Sequence, residues 1–226
     1  MLTEFQKSQG SVKIATIDNY TGKIIKEDAW KNTITTAGKD FLATYLVNAS
    51  PAAPFMNYIQ GGTHGTTVYS NIAIGATSIE VVADILSGST GSIVLNPGPN
   101  PASPNSTTEV ATVSAKSGTG PYTYTIGATT YAHNSGEPVV LETLVTDTAL
   151  GTASGSAVLG TQTATGNAFS TVSTLSAATN TTLYEFGLFS GSGGSGTATM
   201  YSHITTSSYV VGSTNSLTIT WQITYL

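Results

Sequence analysis

The clearest pattern along the chain is a strict alternation of apolar and polar residues near its C-terminal end. Successive side chains of a strand point to opposite faces, so a period of two predicts a strand with one buried face. The alternating apolar residues are Leu217, Ile219, Trp221, Ile223 and Tyr225. Shorter runs predict further strands at 11–17, 23–26, 70–75, 77–82, 91–95, 109–114, 122–126, 138–141, 183–189 and 197–203.

One segment has the period of a helix instead. Thr35 or Thr36 is the expected N-cap, because a threonine hydroxyl can accept a hydrogen bond from a free N–H of the first turn. The segment ends near Asn48, since the two prolines that follow cannot continue a helix. Its apolar stripe is formed by Phe41, Leu42, Tyr45 and Leu46. This pattern predicts a short amphipathic helix that packs on one face or end of a sheet.

Turn signals separate the predicted strands. Residues 18–22 (DNYTG) would close a hairpin over 11–34, and the proline-rich residues 96–104 would form a rigid loop. Residues 150–182 are rich in Thr, Ala, Ser and Gly, which suits either weakly specified strands or an extended arm. Many short strands with one helix predict an all-β chain with a β-sandwich or jelly-roll-like body.

Charged residues make up only 8% of the chain, against roughly 25% in ordinary soluble domains, while apolar residues make up 39%. A surface of Thr, Ser and Ala repels like copies weakly, and few ions must be desolvated when it is buried. The composition therefore favours a packed assembly. The alternative is an ordinary secreted β protein.

The charge pattern excludes some partners. The net charge is −5, there is no arginine, and six of the seven lysines lie in the first 40 residues. A chain without arginine and with net negative charge is not expected to bind nucleic acid. It has no cysteine for disulfides or thiolate metal sites. We also expect no membrane contact and no signal peptide, because no apolar run nears the ~20 residues of a membrane helix and residues 1–10 are polar.

Five short motifs in a fixed order resemble a known group of proteins. They are 30–38 (WKNTITTAG), 59–67 (IQGGTHGTT), 146–151 (TDTALG), 184–189 (YEFGLF) and 217–221 (LTITW). The order resembles a loose group of tailed-phage structural proteins, described as tail-fibre-like, baseplate or minor tail proteins. The resemblance implies a location in the virion, but it does not fix the part of the virion.

The resemblance also suggests a domain organisation. In that group the second and third motifs are close together, whereas here residues 68–142 separate them. This segment resembles a small β module of phage virion proteins, which ends in a pattern like 131–140 (YAHNSGEPVV). We therefore expect a discontinuous parent β domain (1–67 plus 143–226) and an inserted β module (68–142). Insertion at a loop tip is tolerated, since closure entropy rises slowly with loop length.

No pattern of catalytic residues stands out. The three histidines are expected to lie in turns or at the surface, with His133 packed inside a closing turn: His64, His133 and His203. Glycine-rich segments at 61–65, 151–155 and 191–196 are interpreted as turns, with positive φ at 61–65, because none has the context of a phosphate loop or a nucleophile elbow. No catalytic, cofactor-binding or metal-binding residue is predicted.

The carboxylates and tyrosines also favour structural roles. Glu137, Glu142 and Asp147 are expected on opposite faces of strands, which does not suit a catalytic pair. Glu185, in an apolar strand, is expected to be buried and to accept hydrogen bonds from backbone N–H groups or a nearby turn. Tyr122 and Tyr124 should share one face of a strand and pack in a core, while a receptor contact by these residues or by Tyr131 is the alternative.

We therefore expect a non-enzymatic structural subunit of the tail, baseplate or fibre of a phage virion. Its expected partners are copies of itself, with a trimer as one option, and other virion proteins. A capsid decoration or cement protein is the first alternative. A host receptor-binding adhesin, with a surface glycan as its ligand, is the second.

Overall fold

The computed structural model describes residues 8–47, 56–98, 107–166 and 168–225. Within these ranges the chain is all-β, with curled sheets in a β-sandwich-like architecture and one small helix, which confirms the predicted class. The strands are β1 Ser8–Asp18, β2 Ile24–Ile34, β3 Tyr58–Gly62, β4 Gly65–Thr67, β5 Ser78–Val81, β6 Gly91–Leu95, β7 Glu109–Ser117, β8 Tyr122–Ile126, β9 Pro138–Leu141, β10 Ala153–Leu159, β11 Thr161–Thr165, β12 Ala168–Leu175, β13 Thr181–Phe189, β14 Met200–Val211 and β15 Asn215–Tyr225. The helix α1 spans Thr36–Val47.

The larger sheet has nine strands in the order β10-β3-β13-β14-β2-β1-β15-β12-β11. The predicted hairpin and the C-terminal strand lie at its centre, where β1 pairs antiparallel with both β2 and β15 and Ile14 lies opposite Ile219. The alternation of β15 is confirmed, because its apolar residues from Leu217 to Ile223 are fully buried. These side chains pack with Trp30 and Phe186 in one core.

The helix begins where the sequence predicts. The hydroxyl of Thr35 accepts a hydrogen bond from the N–H of Gly38 and donates one to the carbonyl of Met200, so Thr35 is the N-cap. The ring of Phe41 lies 4.7 Å from that of Tyr201, between centroids, which fixes the helix on β14. The predicted end at Asn48 and the side chains of Leu42, Tyr45 and Leu46 lie outside the described residues.

The smaller sheet has six strands in the order β4-β9-β6-β7-β8-β5. Its two ends meet, since Val68 forms a bridge with Val81 and the N–H of Val82 donates to the carbonyl of Thr67. The sheet thus closes on itself around a second core, where Ile93, Val113 and Tyr124 are fully buried.

The described contacts divide the chain into two compact units. Unit 1 comprises residues 1–63, 143–204 and 209–226, and unit 2 comprises residues 64–142 together with 205–208. Each unit has its own core. The origin of 68–142 as a module inserted into a parent domain stays a prediction.

Two segments differ from the expected pattern. The predicted strand at 70–75 is wrong: Ile72 forms only an isolated bridge with His133, and Ile74 is 70% exposed. The stretch alternates in sequence, but its backbone hydrogen bonds go to residues 129–136 and are separated by bends, so they do not form a continuous ladder.

Of the two options for 150–182, strands are correct, since β10, β11 and β12 lie there. The strand expected at 197–203 begins only at Met200 and continues to Val211. Of the proline-rich loop, residues 99–104 lie outside the described ranges.

Candidate functional site

The carboxylate of Glu185 is the centre of a buried polar cluster in unit 1. Glu185 lies on β13, where its neighbours in the strand are apolar, and it is 2% exposed. Its two oxygens accept hydrogen bonds from the backbone N–H groups of Gly151 and Thr152, each at 3.0 Å. This confirms the role expected for Glu185, because the carboxylate supplies the acceptors that the bend at 151–152 needs.

The imidazole of His203 bridges Glu185 to a second carboxylate. Its Nε2 lies 3.1 Å from an oxygen of Glu185, and its Nδ1 lies 2.7 Å from an oxygen of Asp147. Asp147 also accepts a hydrogen bond from the N–H of Leu144 at 2.8 Å. The prediction of a turn or surface position for His203 is therefore wrong: the residue is 5% exposed on β14, beside the fully packed Ile204.

The protonation of His203 follows from its surroundings. Burial alone would lower the pKa of His203, but the hydrogen bonds and charges of Asp147 and Glu185 outweigh it and raise the pKa above its usual 6.5. An imidazolium has two N–H donors, which match the two carboxylate acceptors. Since both ring nitrogens face carboxylates, neither is free to take a proton from a substrate. The arrangement therefore fits a structural role, in which His203 holds Asp147 and Glu185 together.

Two glycines of β3 leave space for side chains of β13. A β-carbon at Gly62 would lie well under 3.0 Å from the carboxylate of Glu185, and one at Gly61 would lie 2.7 Å from the side chain of Leu183. The interpretation of 61–65 as a turn with positive φ is wrong, because these two glycines end a strand and neither has a positive φ. Their role is close approach, which the sequence pattern alone does not distinguish from a turn.

The side chain of Gln60 ties further turns to the same strand. Its amide nitrogen donates to the carbonyl of Gly155, and its oxygen accepts from the N–H of Ser195 at 2.8 Å. Gly155 has φ of +67° within an irregular part of β10, so 151–155 is a bend and a bulge and not a simple turn. The interpretation of 191–196 as a turn is confirmed. Three of the motifs, at 59–67, 146–151 and 184–189, therefore meet around β3 and Glu185.

Unit 2 contains a histidine in the same kind of setting. The side chain of His133 is fully buried, with Nδ1 at 2.9 Å from Glu137 and Nε2 at 3.1 Å from Glu109. Glu109 also accepts from the N–H of Thr130 at 2.7 Å, and so fastens the turn that carries His133 to β7. The expectation that His133 packs inside its closing turn is confirmed, although the two carboxylates were not anticipated.

A second polar cluster in unit 2 is built on Tyr124. Its hydroxyl donates to Asp84 at 2.8 Å and accepts from the N–H of Ile85 at 3.0 Å. Burial raises the pKa of Tyr124, and hydrogen bonding to Asp84 raises it further. Burial alone would raise the pKa of Asp84, but the ion pair with Lys116 and the hydrogen bonds that Asp84 accepts outweigh it and lower the pKa. The interpretation of Tyr124 as a core residue is confirmed, and Tyr122 packs on the same core.

The remaining candidate residues do not form a reactive site in the described parts of the chain. The Nε2 of His64 lies 2.6 Å from the carbonyl of Ile85. Glu137 and Asp147 each engage a different histidine, so they are not a pair. Among the described residues, no group of three His, Cys, Asp or Glu side chains is placed to hold a metal ion.

Comparison with known proteins found no match. No protein-family model, no curated protein and no solved structure matches this chain. In the described ranges, the chain has no helix with the length and apolar character needed to cross a membrane.

Proposed function

We propose that this chain is a non-enzymatic structural subunit of a tailed-phage virion, in the tail, baseplate or fibre, which acts by self-assembly and by contacts with other virion proteins. The observation that carries the proposal is an uncharged stretch between Asp147 and Glu185. Residues 148–184 contain no Asp, Glu, Lys, Arg or His, yet they supply β10, β11 and β12 and much exposed surface.

The chemistry of this stretch suits a permanent contact. Its exposed side chains are largely Thr, Ser and Ala, so burial against another subunit removes few ions from water and leaves hydroxyl groups able to pair across the contact. An isolated secreted domain would gain solubility from surface charge, which this part of the chain lacks. The order of the five motifs supports a virion protein as the particular class.

The polar clusters support a scaffold over a catalyst. The hydrogen bonds of the cluster are made within the chain itself, by the side chains of Glu185, His203 and Gln60. They hold the bends at 151–152 and 194–195 in fixed positions, which is what a subunit needs in order to present the same surface to every neighbour.

The experiment is mass spectrometry of peptides from purified phage particles, combined with immunogold labelling. Recovery of this chain in stoichiometric amounts, with label on the tail, supports the proposal. Label distributed over the capsid would favour the decoration protein instead. A chain that is abundant in infected cells and absent from purified particles would contradict both.

An adhesin is the second candidate, because large side chains are exposed together in unit 2. Tyr69, Ile74 and Tyr131 are 52%, 70% and 38% exposed, and the bridge between Ile72 and His133 brings their segments side by side. Tyrosine faces suit sugar rings. A glycan array probed with the full chain and with Tyr131→Ala tests this: a bound sugar that the variant loses supports an adhesin, and an array on which the full chain binds nothing argues against it.

A further inference from the structure

Strand β11 is an edge strand that is exposed along its whole length. All five residues of Thr161–Thr165 are exposed, and the strand pairs with β12 in an uninterrupted antiparallel register. Besides this pairing, side chains of β11 also bond to the rest of the chain: Gln162 donates to the carbonyl of Met56, and Thr163 pairs with Ser170 at 2.8 Å. No described residue forms a backbone hydrogen bond with the outer side of β11.

The other three end strands of the two sheets are closed or interrupted in the described structure. In unit 2, β4 and β5 meet through the Val68–Val81 bridge, and the N–H of Tyr69 donates to the carbonyl of Glu80. In unit 1, β10 has a shift in register, and its Val158 carbonyl accepts a hydrogen bond from Ser173. Natural proteins protect free edges with such bulges, or with lysine, proline or very short strands. The sequence TQTAT of β11 has none of these protections.

We propose that β11 pairs antiparallel with β11 of a second copy of this chain, about a two-fold axis near Thr163. This inference rests on the proposed function of self-assembly and names the contact. An antiparallel edge is complementary to itself under a two-fold rotation, because each strand then offers its free N–H groups to the free carbonyls of the other.

The side chains of β11 suit this partner. Threonine favours strands, and threonines that face each other across strands can exchange hydrogen bonds. No Asp, Glu, Lys, Arg or His lies between Asp147 and Glu185, so two copies of this edge can approach without repulsion between like charges. A charged edge of one sign would oppose its own copy, and a different partner would be needed.

The test is Thr163→Lys, measured by light scattering and sedimentation over a range of concentrations. The substitution places like charges opposite each other in the pair, so we expect at least about tenfold weaker association. Thr112→Lys is the matched control, because it adds the same charge at an exposed position of β7, which is paired on both sides. Circular dichroism checks that both variants fold. If Thr163→Lys does not fold, Ala164→Lys, at the next exposed position, replaces it.

A charge exchange tests the symmetry of the contact. Thr163→Glu should also dissociate by itself, and an equimolar mixture of the Lys and Glu variants should re-associate as mixed pairs. A mixture that stays apart, or a wild-type chain that is only trimeric, would overturn the two-fold contact. If the wild-type chain and Thr163→Lys are equally multimeric, the chain does self-assemble, but β11 is not the contact between the copies. A wild-type chain that is monomeric at every concentration would overturn this contact, whereas absence of the chain from purified particles would overturn the proposed function.

Discussion

Gly62 of β3 lies directly against the carboxylate of Glu185 on β13, and the two residues are partners in the register of the sheet. A side chain at position 62 would occupy the space of a carboxylate oxygen that accepts a backbone hydrogen bond. Glycine at position 62 is therefore required for the buried cluster of Glu185, His203 and Asp147.

The first prediction follows from this contact. Gly62→Ala should displace the carboxylate of Glu185 and lower the free energy of unfolding by about 1–3 kcal/mol, the cost of leaving one buried donor unpaired. Chemical denaturation measures the loss. Gly127→Ala is the control, since a β-carbon there meets no heavy atom within 4 Å. Equal stability of the two variants would mean that the carboxylate relaxes without losing its partners.

The second prediction concerns pH. The folded state raises the pKa of His203 above its ordinary 6.5, so the stabilisation from its charged form is complete below that value. It should be lost as pH rises through the raised pKa of the folded state. Urea denaturation at a series of pH values should therefore show wild-type stability falling in this window.

The control for this prediction is His203→Gln, which keeps a polar side chain but cannot titrate. Its stability should be lower at acidic pH and should lack the decline that His203 causes. A variant whose pH profile runs parallel to that of the wild type would show that other groups cause the decline.

The third prediction isolates the cluster on Tyr124. Tyr124→Phe removes the hydroxyl that bonds to Asp84 and to the N–H of Ile85, so the protein should lose about 1–3 kcal/mol. Tyr122→Phe, on the same strand and beside the same core, should change stability by less than about 0.5 kcal/mol. Thermal unfolding of the two variants compares them, and a similar loss in both would assign the effect to packing of the rings.

The fourth prediction concerns the start of the helix. Thr35→Ala removes the N-cap hydroxyl and leaves the Met200 carbonyl without its donor, so we expect a loss of about 1–2 kcal/mol. Thr36→Ala should cost less, because Thr36 is exposed and its hydroxyl bonds to the carbonyl of the exposed Val145. Denaturation curves that rank the two variants in the opposite order would contradict the assignment of Thr35 as N-cap.

Local patterns predicted what depends on neighbours in sequence. The alternation from Leu217 to Ile223 predicted a half-buried strand, and Glu185 in an apolar run predicted a carboxylate with backbone partners. The pattern at 70–75 failed because alternation describes only one strand. It does not reveal whether a neighbouring strand is available to extend the ladder.

The buried cluster of Glu185, His203 and Asp147 could not be predicted in this way. Asp147 and His203 meet only because sheet order brings distant segments together. Gly61 and Gly62 gave a misleading signal, since glycine serves both in turns and where side chains approach closely.

The stretch without charges has a consequence for the conditions in which an assembly could work. Residues 148–184 carry no charged side chain, so a contact between two copies of this stretch would give dissolved salt no charges to screen. An interface between subunits that is formed by this surface would be equally stable in dilute and in concentrated electrolyte. The same subunit could then keep its neighbours when its surroundings change from one salinity to another.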